Sequence, residues 1–136
     1  MLDVAFAYAR FADRIDAPSL GELFVEDGIL RIQRPGDVAA VERIGRDAIV
    51  AAIRGLERYD RTFHMIGNHY YDVDGEVATG EVYCIAHHVH GEAGSKVDHV
   101  MMIRYQDQYR RTADGWRVVV RELSVDWTEE RSVTSS

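Results

Sequence analysis

The chain has a single cysteine, Cys84, so an intrachain disulfide is excluded and nothing in its composition calls for an oxidising compartment. It also lacks an excess of positive charge. Sixteen Lys and Arg stand against twenty-three Asp and Glu, a net −7, which argues against the basic face that a nucleic-acid footprint needs. No apolar run is long enough to span a bilayer, and the opening "MLDVAFAYARFADR" is interrupted by Asp3 and Arg10 and has no basic start, so neither a signal peptide nor a membrane anchor is expected. No repeat, low-complexity tract or glycine-rich phosphate loop occurs. With 46% hydrophobic and 29% charged residues, the 136-residue sequence is that of one globular domain, 1–136, expected in the cytoplasm.

Residues 2–15 carry apolar positions at helical spacing, with one row through Val4, Tyr8, Phe11 and Ile15 and a second through Leu2, Phe6, Ala9 and Asp13. Asp16 is placed to cap a short helix through "SLGELF". "GILRIQR" (28–34) reads as a strand, "PGDVAAVERIG" as a loop at a pocket rim, and "RDAIVAAIRGLERY" as another helix. Four long strands follow, at 61–72, 77–91, 98–112 and 115–128, separated by turn chemistry at Asp74-Gly75, "GEAGSK" and "ADG". The polar end, 127–136, reads as a flexible tail. The expected fold is α+β: a cone-like curved antiparallel sheet, a half barrel, packed on N-terminal helices around a central pocket.

Three polar residues sit where an apolar face is expected. Asp13 ends a core-facing helix row, His64 interrupts the apolar strand "TFHMI", and Arg121 alternates with Val119, Leu123 and Val125. A carboxylate that accepts Nδ1–H of an imidazole fixes its tautomer and leaves Nε2 as a general base. The same pair can also be structural glue. Arg121 could hold a substrate oxygen. The "HHVH" run invites a metal reading, but alternation lets only His88 and His90 converge, and no zinc spacing is present.

The runs "YARFADRIDAPSLGELFVEDG", "GRDAIVAAI", "TFHMIGNH" and "YRRTADGWRVVVREL" together resemble the SnoaL-like family of the nuclear-transport-factor-like superfamily, over Val4 to Trp127. That family includes dehydratases, a dehydrochlorinase, polyketide cyclases and isomerases. The resemblance implies a catalytic pair of Asp13 and His64 and a second histidine on the next strand at His88. It also implies pocket positions at Arg121 and Tyr105, with Tyr8 or Tyr83 as tyrosines that polarise a carbonyl; Cys84, with no base fixed near it by the sequence, reads as a small pocket or core residue.

The register of the hairpin leaves the second histidine open. A two-residue Asp74-Gly75 loop puts Tyr83, Ile85 and His87 on His64's face, whereas a longer loop or one bulge brings Cys84, Ala86 and His88 there. The expected activity is a cofactor-free lyase or isomerase acting on an apolar polyketide, steroid or aromatic-like small molecule. In it His64 takes a proton and His88 or a tyrosine protonates a departing hydroxyl. The alternatives are a non-catalytic ligand-binding or dimerisation domain and an epoxide hydrolase built on an Asp–Arg–Asp arrangement. A homodimer is expected, formed on the outer sheet face.

Overall fold

The computed structural model describes residues 1–134. Two helices open the chain, α1 (Leu2–Arg14) and α2 (Ala17–Gly21). Strands β1 (Phe24–Gln33) and β2 (Val41–Ile44), helix α3 (Arg46–Arg54) and a 3-10 turn (Gly55–Arg58) follow. The chain finishes with β3 (Arg61–Asp74), β4 (Val77–His90), β5 (Val97–Thr112) and β6 (Gly115–Ser132).

Six strands form one curved, unclosed sheet in the order β2-β1-β6-β5-β4-β3. Every neighbouring pair is antiparallel except β1 and β6, which run parallel, the chain passing through α3 and four strands before β6 returns beside β1. Register shifts in β3 (Ile66/His69) and along the β5–β6 pair (Met102/Ile103 and Gln108/Tyr109) add local twist, and that curvature leaves the concave face for the helices to cover. Val4, Ala5, Tyr8, Ala9 and Ala12 of α1, at i/i+3/i+4 spacing, bury themselves against the sheet, and Ile49 and Ile53 of α3 do the same beside Leu30.

Several boundaries depart from the sequence pattern for identifiable reasons. Phe6 is half exposed, so the buried face of α1 is the Val4–Tyr8–Ala12 side, and Asp13 lies at its border. Asp16 does cap α2, accepting from the Ser19 amide at 3.3 Å. α2 ends at Gly21, where a Cβ would stand 2.7 Å from Val50 Cγ2, and β1 starts at Phe24 in what reads as the end of a helix. The rim loop contains β2, whose four residues are all exposed and leave no periodicity to read. Within the 127–136 segment expected as a tail, β6 keeps pairing with β5 from Met102↔Trp127 to Val97↔Ser132, and residues 135–136 lie outside the described residues. Among the described residues, no helix is long and apolar enough to cross a membrane.

Candidate active site

α1 crosses the end of β3 so that Asp13 meets three donors from that strand. Its Oδ1 lies 2.6 Å from His64 Nδ1 and 3.0 Å from the Thr62 hydroxyl, and its Oδ2 accepts the His64 amide at 2.9 Å. Burial pushes the carboxyl up, but the hydrogen bonds from the His64 ring and amide and from Thr62 outweigh it, holding Asp13 below its ordinary value and ionised. An acceptor-only carboxylate at Nδ1 requires the proton to sit on Nδ1. In the neutral ring Nε2 is then the bare nitrogen, and the His64 side chain, 7% exposed, lines a cavity of about 220 Å³ under the helices.

β4 supplies the second imidazole. The β3–β4 loop is Gly75-Glu76, one residue later than the sequence suggests, and the shift between Ile66 and His69 then sets His64 opposite Ala86. That bulge turns Cys84, Ala86 and His88 inward, and the His88 ring comes to rest 5.8 Å from that of His64. His87 faces the other way, with Nδ1 2.6 Å from Asp98. His88 Nδ1 donates to the His99 carbonyl at 3.0 Å, so its Nε2 also carries a lone pair. Burial first, with the nearby His64 ring adding to it, lowers its pKa to about 4 despite the His99 carbonyl. In that neutral form the inward Nε2 of His88 is a hydrogen-bond acceptor.

The other expected site residues divide. Tyr8 and Tyr105 line the cavity with their rings 5.7 Å apart, and burial raises both phenols, which stay protonated and able to donate. Arg121 does not reach the cavity. It is wholly buried, bonded to Asp107 at 2.9 and 2.8 Å, and its guanidinium stacks 4.3 Å from the Tyr8 ring centroid and 4.0 Å from that of Tyr105. Asp107 in turn accepts from the Tyr109 hydroxyl at 2.5 Å. Arg121 thus lies behind the two tyrosine rings that line the cavity. The Asp–Arg–Asp arrangement is also incomplete, since among the described residues Arg121 meets one carboxylate only.

Cys84 lies behind the cavity wall beside Tyr105, and burial drives its thiol up to about 11, too high for a nucleophile. Tyr83 is on the convex face, under the Arg104 guanidinium at 5.1 Å, so it does not touch the cavity. Two residues had not been singled out. Thr62 was legible, since it shares His64's face two positions earlier. Tyr59, whose ring stands 4.9 Å from His88, follows the 3-10 turn and looked like the end of a helix. Among the described residues, no three His, Cys, Asp or Glu side chains gather in metal-ligand geometry.

A family described as SnoaL-like domain matches residues 1–122. An NTF2-like protein with a cystatin-like fold from Novosphingobium aromaticivorans is 29% identical, covering 91% of this chain and 78% of its own, with a TM-score of 0.72. A candidate scytalone dehydratase from the same organism shares 23% identity over 98% of this chain and 87% of its own, with a TM-score of 0.79. A hexachlorocyclohexane dehydrochlorinase, LinA type 2, matches at 12% identity and a TM-score of 0.78, covering 99% of this chain and 88% of its own. The last two show likeness of fold. No curated protein shows significant sequence similarity to the chain.

Proposed function

The chain belongs to the SnoaL-like domain family, and on that premise we propose that it is a cofactor-free lyase or isomerase whose general base is His64. The observation that carries this reading is the 2.6 Å contact between Asp13 and His64 Nδ1, made by a histidine that lines the cavity. A base needs a bare nitrogen, a neighbour to stabilise the cation it becomes, and a dry site. Asp13 meets the first two requirements, and an apolar wall that includes Leu30, Ile53 and Val125 meets the third.

In the proposed reaction, His64 Nε2 takes the proton from a carbon next to a carbonyl. The electron pair left on carbon passes into the carbonyl, and the developing oxyanion is met by the protonated phenol of Tyr8 or Tyr105. Where a β-hydroxyl is present, its C–O bond breaks as the enolate collapses. The His64 imidazolium then returns its proton to the departing oxygen, so that water leaves and the base is regenerated. His88 Nε2, a lone pair without a proton, accepts a hydrogen bond from that hydroxyl and orients it. With no leaving group, the same proton returns to a different carbon and the outcome is isomerisation, or ring closure if the enolate attacks a second carbonyl. Two neighbours described by name as a candidate dehydratase and a dehydrochlorinase, both eliminating enzymes, favour the lyase branch.

The convex face favours a homodimer. Met65, Ile85 and Trp127, 54, 40 and 53% exposed, border a groove with Tyr83 and Met102 that a second copy would cover, and Phe63, two residues before Met65, is 57% exposed.

The test is deuterium wash-in from D₂O at the α-carbons of a compact two-ring ketone such as 2-tetralone, followed by mass spectrometry. The protein should accelerate exchange, and His64→Gln should return it to the buffer rate. Equal rates for wild type and His64→Gln would point to a non-catalytic ligand-binding domain instead.

A further inference from the structure

The protein is acidic overall, yet the cavity wall includes Arg34, Arg43 and Arg58 and no Asp or Glu. Strand alternation explains how they come to be there. Leu30 and Ile32 share the concave face of β1, Arg34 follows the strand's last residue at the cavity rim, and Arg43 of β2 stands directly opposite Leu30, hence on that same face. The outward neighbour Arg31 is treated differently: it is tied to Glu42 at 2.7 Å and to Glu122 at 3.1 Å. Arg58 arrives from the 3-10 turn, with its guanidinium 4.8 Å from the Tyr59 ring centroid and Nη2 donating to the Tyr59 hydroxyl at 3.1 Å. Among the described residues, no carboxylate comes within ion-pair distance of the Arg34, Arg43 or Arg58 side chains, and the Asp37 carboxylate accepts the Arg34 backbone amide at 2.9 Å instead.

Three arginines on one cavity wall concentrate self-repelling positive charge there, and none of them has an ion-paired carboxylate among the described residues. A bound oxyanion would remove that repulsion, and guanidinium forks suit planar or tetrahedral oxyanions better than any other side chain does. Deeper in, the wall turns apolar through Leu30, Ile53, Met101, Leu123 and Val125, a surface for hydrocarbon and not for a second charge. Local positive potential at the mouth would also offset the net negative charge that otherwise repels an approaching anion.

We propose that the substrate is an amphipathic anion, with an apolar ring body in the cavity and a carboxylate or phosphate at its mouth held by Arg34, Arg43 and Arg58. The inference rests on the cavity being the substrate site of the reaction above. It gives the arginines a positioning role: anchoring the charged end fixes which carbon of the body lies against His64.

Binding of 2-naphthoate, 2-naphthyl phosphate and the neutral 2-naphthamide, measured by calorimetry with the His64 and His88 ring protons followed by NMR, tests the proposal. At about 50 mM NaCl at least one anion should bind no less than about tenfold more tightly than the amide. That advantage should fall below about threefold in Arg43→Gln/Arg58→Gln and at about 0.5 M NaCl, while both histidines shift on binding. Whichever anion binds more tightly identifies the oxyanion as carboxylate or phosphate. The proposal is overturned if the amide binds as tightly as both anions, if the double variant keeps the advantage, or if neither anion shifts the histidines. An amide that binds as tightly as both anions and still shifts His64 would leave the cavity reading standing while removing the anion. The reading of His64 as base fails separately, through wash-in that survives His64→Gln.

Discussion

Replacing Asp13 by Asn keeps the shape of the pair and removes its charge, so it isolates what the carboxylate does. As His64 becomes an imidazolium it gains the attraction of a carboxylate whose Oδ1 is 2.6 Å from Nδ1. For charge centres about 4 Å apart at an effective dielectric near 20, that attraction is about 4 kcal/mol. If half of the charge has developed at the transition state, its loss raises the barrier by about 2 kcal/mol, or about 30-fold in rate. A further loss is expected from the tautomer. An Asn amide that turns its NH₂ toward Nδ1 makes that nitrogen the acceptor and moves the proton to Nε2, where it blocks the base. A comparable carboxylate-to-amide change in a serine-protease triad lowers kcat by about 10⁴. Wash-in into 2-tetralone should therefore fall by a factor between about 30 and about 10⁴ in Asp13→Asn, with the fold retained by circular dichroism. A rate within about threefold of wild type would refute the argument, because neither the charge nor the tautomer would then matter.

Further predictions concern the framework around the site. Arg121→Leu leaves Asp107 buried without its cation, and denaturant unfolding should show a loss of about 3–5 kcal/mol, far more than an exposed arginine would cost. His88, neutral when folded and with a pKa of about 4, takes up a proton more readily once unfolded, where its value is 6.5. Its contribution to stability is therefore complete above pH 6.5 and lost as pH falls toward about 4, by up to about 3 kcal/mol, and His88→Asn should remove that slope from a pH series of urea midpoints. Asp13, held low, adds a second loss beneath its ordinary value of 3.8, which Asp13→Asn should abolish. On the convex face, Met65→Glu with Ile85→Glu should shift the sedimentation coefficient from dimer to monomer, and an unchanged coefficient would place any interface elsewhere.

How far the site could be read from the residues depends on which geometry each inference needed. Asp13 and His64 announced themselves because a carboxylate and an imidazole interrupt apolar patterns, and the two patterns belong to elements that the fold class brings together. His88 needed the register, which hangs on a single bulge between Ile66 and His69. Gly67, inside that bulge, is the one sign of it in "IGNH", but a lone strand glycine does not fix a register shift, and without the shift His87 would have faced the cavity. For Arg121, alternation gave the correct face, but depth along a strand is set by sheet curvature and by the Tyr8 and Tyr105 rings that cover it. Tyr83 was misassigned because one residue of register exchanges the two faces of β4. The exposed β2 and the paired end of β6 escaped notice because edge strands and polar extensions are stabilised by backbone pairing, which carries no hydrophobic period.

The account stands most directly on the protonation pattern of the two cavity imidazoles, which ¹⁵N-detected long-range NMR of the histidine rings reads at neutral pH. The hydrogen bonds to Asp13 and to the His99 carbonyl predict the Nδ1–H tautomer for both His64 and His88, with Nε2 bare in each and the His64 Nε2 signal moving when 2-tetralone is added. A proton found on His64 Nε2, or an Nε2 signal unmoved by ligand, would contradict the central claim that this nitrogen is the base facing the substrate.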